Sequence, residues 1–228
     1  MTKIIPEISG ALRKQMLRVP DVIRQASGIR IMGKLIRSLV FSTDVAIIRN
    51  INADAVIAVY PFTPQPIITH SIIMAADIPV LCGVGGGLTS GRRVVDLAQD
   101  AEFQGALGVV VNAPTPNETI AALKEVIDIP IVVTVVSDNE NYDFRSRIEA
   151  GADILNVSGA GRTSEIVRKI RKDLPDVAIL ATGGPNEESI LRTIEAGANA
   201  VTYTPPTNAE LFRVRMEVYR DKLDANNK

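Results

Sequence analysis

The acids most able to move a proton in this sequence sit just past two apolar runs. Asp138 and Glu140 follow IPIVVTVVS, and Asp44 follows SLVFST. A carboxylate held past a strand end can exchange a proton with a substrate carbonyl if it reaches the reacting atom. Asp138, closest behind its run, is the preferred base. Asp44 stands in STDVA, where it would equally cap a helix. The second kind of chemistry is anion binding by main-chain nitrogen. VAILATGG ends on Gly183 and Gly184, and NAVTYTPPTN ends on Thr204, two prolines, Thr207 and Asn208. Glycine lets a backbone approach a ligand, and the amides opening the next helix point at it, so the two ends together read as a phosphate cradle. Ordinary turn chemistry is the plainer reading of the same letters.

Further ligand contacts follow the same logic. SGAGRT offers Gly159, Gly161 and Arg162, the last a fork for a carboxylate or a second phosphate, with a solvated arginine as the alternative. GVGGGLTSGRR offers Gly85 and Gly86, and Asn112 and Asn156 close or nearly close two more runs. The glycine loop lacks the G-x-G-x-x-G spacing and a following acid, so it does not read as a dinucleotide site. No H-x-H, H-E-x-x-H or cysteine pair is present, so no metal site and no cofactor is read, although Asp138 and Glu140 could hold Mg2+ through a phosphate. The single cysteine, Cys82, reads as a buried apolar side chain, and the single histidine, His70, as a packed one.

These residues need elements to position them. From Ala53 onward, short Val/Ile/Ala runs alternate with amphipathic segments, the pattern of parallel strands joined by crossover helices. The runs predict strands over Ala55–Tyr60, Val80–Gly83, Leu107–Asn112, Ile131–Val136, Ile154–Val157, Val177–Thr182 and Ala200–Tyr203. Upstream, Ile29 to Ser42 reads as two extended segments about a turn at Gly33 and Lys34, with Leu35–Phe41 as the first barrel strand. RIEAGADIL recurs as TIEAGANAV about 45 residues later, a repeat of two strand–helix units. The expected fold is α/β: a single-domain (β/α)8 TIM barrel over residues 1–228, with an N-terminal helical segment and a β-hairpin closing the barrel floor. An open doubly wound sheet is the alternative. In a barrel of this kind the site lies at the carboxyl ends of the strands, where the candidate acids and ligand contacts named above fall, whereas His70 falls within the helix after the second strand.

Composition excludes several classes. A formal net charge of -1 and 4% aromatic residues supply neither a basic field nor stacking platforms, so no nucleic-acid partner is expected. No run of about 18 apolar residues occurs, so no membrane partner is expected, and one cysteine fits a reducing, cytoplasmic setting.

ATGGPNEESILRTIEAGANAV resembles the last phosphate-binding units of the keto-deoxy-phosphogluconate aldolase, thiazole phosphate synthase and ribulose-phosphate epimerase group of barrels. The resemblance implies phosphate at Gly183, Gly184 and the loop after Tyr203. It does not carry an activity. No strand from the second to the eighth ends in the Schiff-base lysine of the aldolases, and His70 is not placed like the epimerases' metal-binding histidines. The expectation is an enzyme acting on a small phosphorylated metabolite, of lyase, isomerase or synthase type. A hydrolase using the same mouth and a non-catalytic metabolite sensor are the alternatives, and a homo-oligomer is compatible with each.

Overall fold

The computed structural model describes residues 16–226 other than 138, 140 and 141, together with residues 4, 6, 8, 10 and 11. Eight parallel strands close into a barrel: β3 (Ser38–Phe41), β4 (Ala55–Ala58), β5 (Val80–Gly85), β6 (Gly108–Val111), β7 (Ile131–Val135), β8 (Ile154–Val157), β9 (Ala178–Thr182) and β10 (Ala200–Tyr203), with β10 pairing β3. β4, β6 and β8 are buried at every residue, as expected of strands covered by helices outside and by each other inside. Helices α1 (Val45–Ile48), α2 (Pro66–Ala75), α3 (Arg92–Phe103), α4 (Asn117–Val126), α5 (Phe144–Glu149), α6 (Thr163–Asp173), α7 (Glu187–Glu195) and α8 (Asn208–Asn226) follow the strands in turn. The TIM-barrel expectation holds.

The repeated joins explain themselves at atomic level. Gly105, Gly151 and Gly197 all have positive φ and donate their N–H back to Glu102, Ile148 and Ile194. The next residues, Ala106, Ala152 and Ala198, donate to Ala101, Arg147 and Thr193, which completes a Schellman cap and turns each chain directly into its strand. The residue before the strand then pins the register. Asp153 donates its N–H to Ile131 O at 2.9 Å and accepts the Ile131 N–H on its own carboxylate at 2.9 Å. Asn199 does the same with Ile179, and Asp54 with Ser38, whose hydroxyl also joins. In each case the N–H lies one residue before the parallel ladder begins.

Two expectations at the floor are corrected. The predicted strand Leu35–Phe41 is two elements, because Arg37 breaks it: its N–H bonds Asp54 and its Nε bonds Ala26 O, which turns the chain between hairpin and barrel. The hairpin, β1 (Ile29–Ile31) and β2 (Lys34–Ile36), turns at Met32 and Gly33, one residue earlier than predicted. Both turn residues have positive φ, so this is a type I′ turn in which Met32 accepts the left-handed conformation. Ile31 and Ile36 pack with Leu39, Leu81, Val132 and Leu180 inside the barrel, so the floor is sealed.

The expected N-terminal helical segment is, among the described residues, one 3-10 turn at Asp21–Gln25; residues 12–15 lie outside them. This strap runs from a bridge between Leu17 and Ile51, after α1, to contacts with α7, and Val19 and Ile23 bury themselves in the outer layer. It thereby occupies wall that α8 would otherwise cover. α8 is exposed through nearly all of its described length, including Phe212, Val214, Met216, Val218, Tyr219 and Leu223. Among the described residues no helix is long and apolar enough to cross a membrane.

Replacing Asp153 by alanine strips the only acceptor from the buried Ile131 N–H. We expect a loss of about 1–3 kcal/mol in chemical denaturation, with Asp153→Asn recovering most of it because the amide oxygen still accepts. The Lys124 ion pair at Asp153 is half-exposed and contributes little to this difference.

Candidate active site at the barrel mouth

The last inward-facing positions before the barrel opens are hydroxyls and carboxamides on consecutive strands. Thr134 on β7, Asn156 on β8, Thr182 on β9 and Thr202 on β10, with Asn112 just past β6, line one arc of a central cavity of about 270 Å³. Phe41, Ile57, Val59 and Val110 line the opposite, apolar arc. Two lobes continue it. One, about 630 Å³, lies under the loops after β3 and β10, and the other, about 360 Å³, lies between the loops after β4 and β5. Val59 and Asn112 line all three spaces, so they form one chamber.

Asn112 is the fixed point of this chamber. Its N–H donates to Gly85 O at 2.9 Å, and its carbonyl accepts from Thr115 N and Thr115 Oγ1 at 3.1 and 2.8 Å. The backbone is therefore locked, whereas the carboxamide makes no hydrogen bond among the described residues. Among the described residues, Asn156 is buried and donates a single long 3.4 Å bond to Thr134 Oγ1, and the buried Thr202 Oγ1 has no hydrogen-bond partner. Unmet donors and acceptors in a concave, partly apolar space are a signature of a ligand site.

Of the predicted acids, Asp138 and Glu140 lie outside the described residues. Asp44 lines the larger lobe, but its oxygens are occupied: Oδ1 accepts from Ala46 N and Ile47 N as the cap of α1, and Oδ2 accepts from Asn208 Nδ2 at 2.5 Å. It ties the first loop to the start of α8. Asp44 is also the sole charged side chain in the described lining of the three spaces.

At the expected phosphate cradle, the nitrogen of Gly183 is already engaged within the barrel. The Gly183 N–H donates to Thr202 O at 3.1 Å, and a Cβ there would meet Val201 and Ile190 at 2.7 and 2.8 Å. Glycine is needed at 183 so that strand and helix can pack. Gly184, at φ 86°, is exposed and lies outside the chamber lining, and a Cβ would press on Ser189 Oγ. The helix end beyond is already closed by a capping box of Asn186 and Ser189 and carries Glu187 and Glu188 in its first turn, which disfavours an anion. The start of α8 is closed similarly: Thr207 N and Oγ1 both donate to Glu210 Oε2 at 2.8 Å. Those bonds, the backbone one first, hold the Glu210 carboxyl below its ordinary pKa.

The remaining predicted contacts divide. Gly85, Asn112, Asn156, Thr204, Thr207 and Asn208 line the chamber. Gly86 instead packs on Thr115 and Asn112, and its N–H closes a turn to Thr89 O. Gly159 packs on Ile166 and donates to Thr163 Oγ1, while Gly161 and Arg162 lie outside the lining, with Arg162 paired to Glu165 at 3.4 Å. His70, expected to be packed, is exposed on α2. Burial pushes the Cys82 thiol up to about 12, so it supplies no thiolate nucleophile. Sequence reasoning missed Thr134, Thr182 and Thr202, although Thr182 closes its strand and the other two stand one position before the end of theirs.

Among the described residues no group of three His, Cys, Asp or Glu side chains could hold a metal. Asp138 and Glu140, the acids expected to hold Mg2+ through a phosphate, lie outside the described residues, and both Asp44 oxygens are engaged, so no step is derived through a metal.

No family model matches the chain, and no curated protein matches its sequence. Solved structures do match its fold. A 2,3-dimethylmalate lyase of the PEP mutase/isocitrate lyase superfamily aligns at TM-score 0.63 and 14% identity over 96% of this chain and 88% of its own. Phosphonopyruvate hydrolase in complex with oxalate and Mg2+ aligns at 0.62 and 13% identity, over 89% and 87%. Oxaloacetate acetylhydrolase with oxalate aligns at 0.63 and 12% identity, over 87% and 83%. The likeness is one of fold. None of these three belongs to the aldolase, synthase and epimerase group, and the narrower resemblance drawn from the final glycines gains no support from them.

Gly183→Ala separates packing from ligand binding. We expect it to lower stability by roughly 1–3 kcal/mol in urea unfolding, because the methyl overpacks Val201 and Ile190. Binding in the chamber should be unchanged in the folded fraction.

Proposed function

We propose that this chain is an enzyme that takes a small, oxygen-rich metabolite into the barrel mouth and moves a proton beside its carbonyl, as a lyase, isomerase or synthase. The observation that carries this reading is the polar arc whose donors are uncommitted: the Asn112 carboxamide, the weakly bonded Asn156 and the orphaned Thr202 hydroxyl. Asn156 and Thr202 are buried and Asn112 is exposed; a buried polar group without a partner costs about 1–3 kcal/mol, so a ligand carbonyl or carboxylate that completes the Asn156 and Thr202 bonds gains affinity from them, with Asn112 adding a further hydrogen bond from the water-facing side. The described lining holds no lysine, arginine or histidine. A desolvated phosphate dianion would find no cation there, which favours a carboxylate or carbonyl head. The oxalate complexes of two fold neighbours are in keeping with such a head.

Asp138, three residues past the end of β7, is assigned as the base, with Glu140 as the second acid of that loop. The same acid activating a water would make the protein a hydrolase. A metabolite sensor is the reading favoured by the neutral lining, whose one described carboxylate is already bonded. With pyruvate, oxaloacetate and sugar phosphates as candidate substrates, Asp138→Asn should lower turnover by about 10²–10⁴-fold with affinity unchanged. Asn112→Ala should weaken binding. A protein that binds one of these ligands and never turns it over supports the sensor.

We assign homo-oligomerisation to α8. Phe212, Met216, Tyr219 and Leu223 are exposed along one helical face, and the strap through Val19 and Ile23 fills wall on its own barrel. A helix of 19 residues is about 28 Å long. Laid reciprocally on a second copy, two such helices bury roughly 1,200 Å², the lower range of a stable dimer. Sedimentation should show a dimer that Phe212→Glu with Leu223→Glu converts to monomer.

A further inference from the structure

The lobe between the loops after β4 and β5 has no part in the chemistry described above. Tyr60, Pro61, Phe62 and Pro64 form one wall, Gly87 and Leu88 help form the other, and its described lining contains no charged side chain. It opens into the polar arc at Asn112, which lines both spaces. At its lip, Phe62 is 74% exposed and Leu88 is fully exposed, so two large apolar side chains face water beside a mostly apolar cleft. The walls are set in advance. Tyr60 OH accepts the Gln65 N–H at 2.9 Å, the prolines limit the first loop, and the Gly86 N–H bonds Thr89 O at 2.8 Å to close the second.

We propose that this lobe is a subsite for an uncharged apolar tail, so that the ligand is bipartite: an oxygen-bearing head against Asn112 and a hydrocarbon or aromatic extension between Phe62 and Leu88. The inference rests on the head-group reading above and adds the substrate class. A second charged group in the lobe would be desolvated with no partner, so a dicarboxylate or bisphosphate is excluded from this direction. A volume of about 360 Å³ corresponds, at water's share of roughly 30 Å³, to on the order of ten non-hydrogen atoms. Gly87 is the position from which the lobe can be filled. Its φ lies outside the left-handed region, and a Cβ there meets nothing closer than Asn112 Nδ2 at 3.7 Å.

Calorimetric titration of the full chain with straight-chain 2-oxo acids from pyruvate to 2-oxooctanoate, with phenylpyruvate, and with 2-oxo diacids of matched length tests the subsite. Affinity should rise about three- to fourfold per methylene until the lobe fills, phenylpyruvate should exceed pyruvate, and the diacids should gain nothing. Gly87→Leu, whose side chain starts beside Asn112, should abolish the dependence on chain length, and Phe62→Ala, at the exposed lip, should reduce that dependence while pyruvate affinity stays within twofold. Pyruvate binding with no chain-length dependence, or a dependence that survives Gly87→Leu, overturns the subsite and leaves the head reading intact. If no oxo acid binds, the head reading fails; 1-hexanol then probes the lobe alone. Hexanol binding lost in Gly87→Leu upholds the apolar subsite, and its absence overturns it.

Discussion

At the start of a barrel strand a backbone N–H falls one residue short of the parallel ladder, and the protein must give it an acceptor. Asp54, Asp153 and Asn199 do so by a side-chain oxygen while donating their own N–H to the same residue. Each pair of bonds fixes two neighbouring strands against sliding. Because side chains alternate in and out along a strand, a slip of one residue would turn the Thr and Asn layer of the mouth into the outer wall. The polar arc thus depends on contacts made at the opposite end of the strands.

With the register fixed, the interior has two chemically distinct levels. Below, Ile31, Ile36, Leu39, Leu81 and Val132 pack into a dry core. Above, Thr134, Asn156, Thr182 and Thr202 leave hydroxyls and a carboxamide with few partners. Two of the helix starts at the mouth are closed by their own side chains, Asn186 with Ser189 in one case and Thr207 with Glu210 in the other, whereas α2, α3, α4 and α6 carry no side-chain cap. The described lining of the mouth therefore offers hydrogen-bonding groups and apolar contact, with Asp44 its one described charged side chain.

Much of the architecture was legible in the sequence because the barrel repeats itself: the glycine caps, the pinning residues and the Val/Ile runs recur with the strand–helix unit. The break at Arg37 was not, since Leu-Ile-Arg-Ser-Leu-Val reads as continuous extended chain and only the distant Asp54 diverts it. At the mouth, Asn112, Asn156 and Thr204 were legible as lining residues from their places at strand ends. Thr134, Thr182 and Thr202 were not, because threonine inside an apolar run is also an ordinary β-former. Gly183 misled for a related reason. The absence of a side chain serves close packing and close approach to a ligand equally well, and only the neighbours Val201 and Ile190 tell them apart.

The hairpin has a kinetic meaning of its own. With Ile31 and Ile36 stoppering the floor, the barrel is a cul-de-sac, so a ligand taken up at the mouth, past Phe62 and Leu88 or beside Asp44, would also have to leave at that end. Arrival and departure would then share one end of the barrel, and a second molecule could not push the first out through the other.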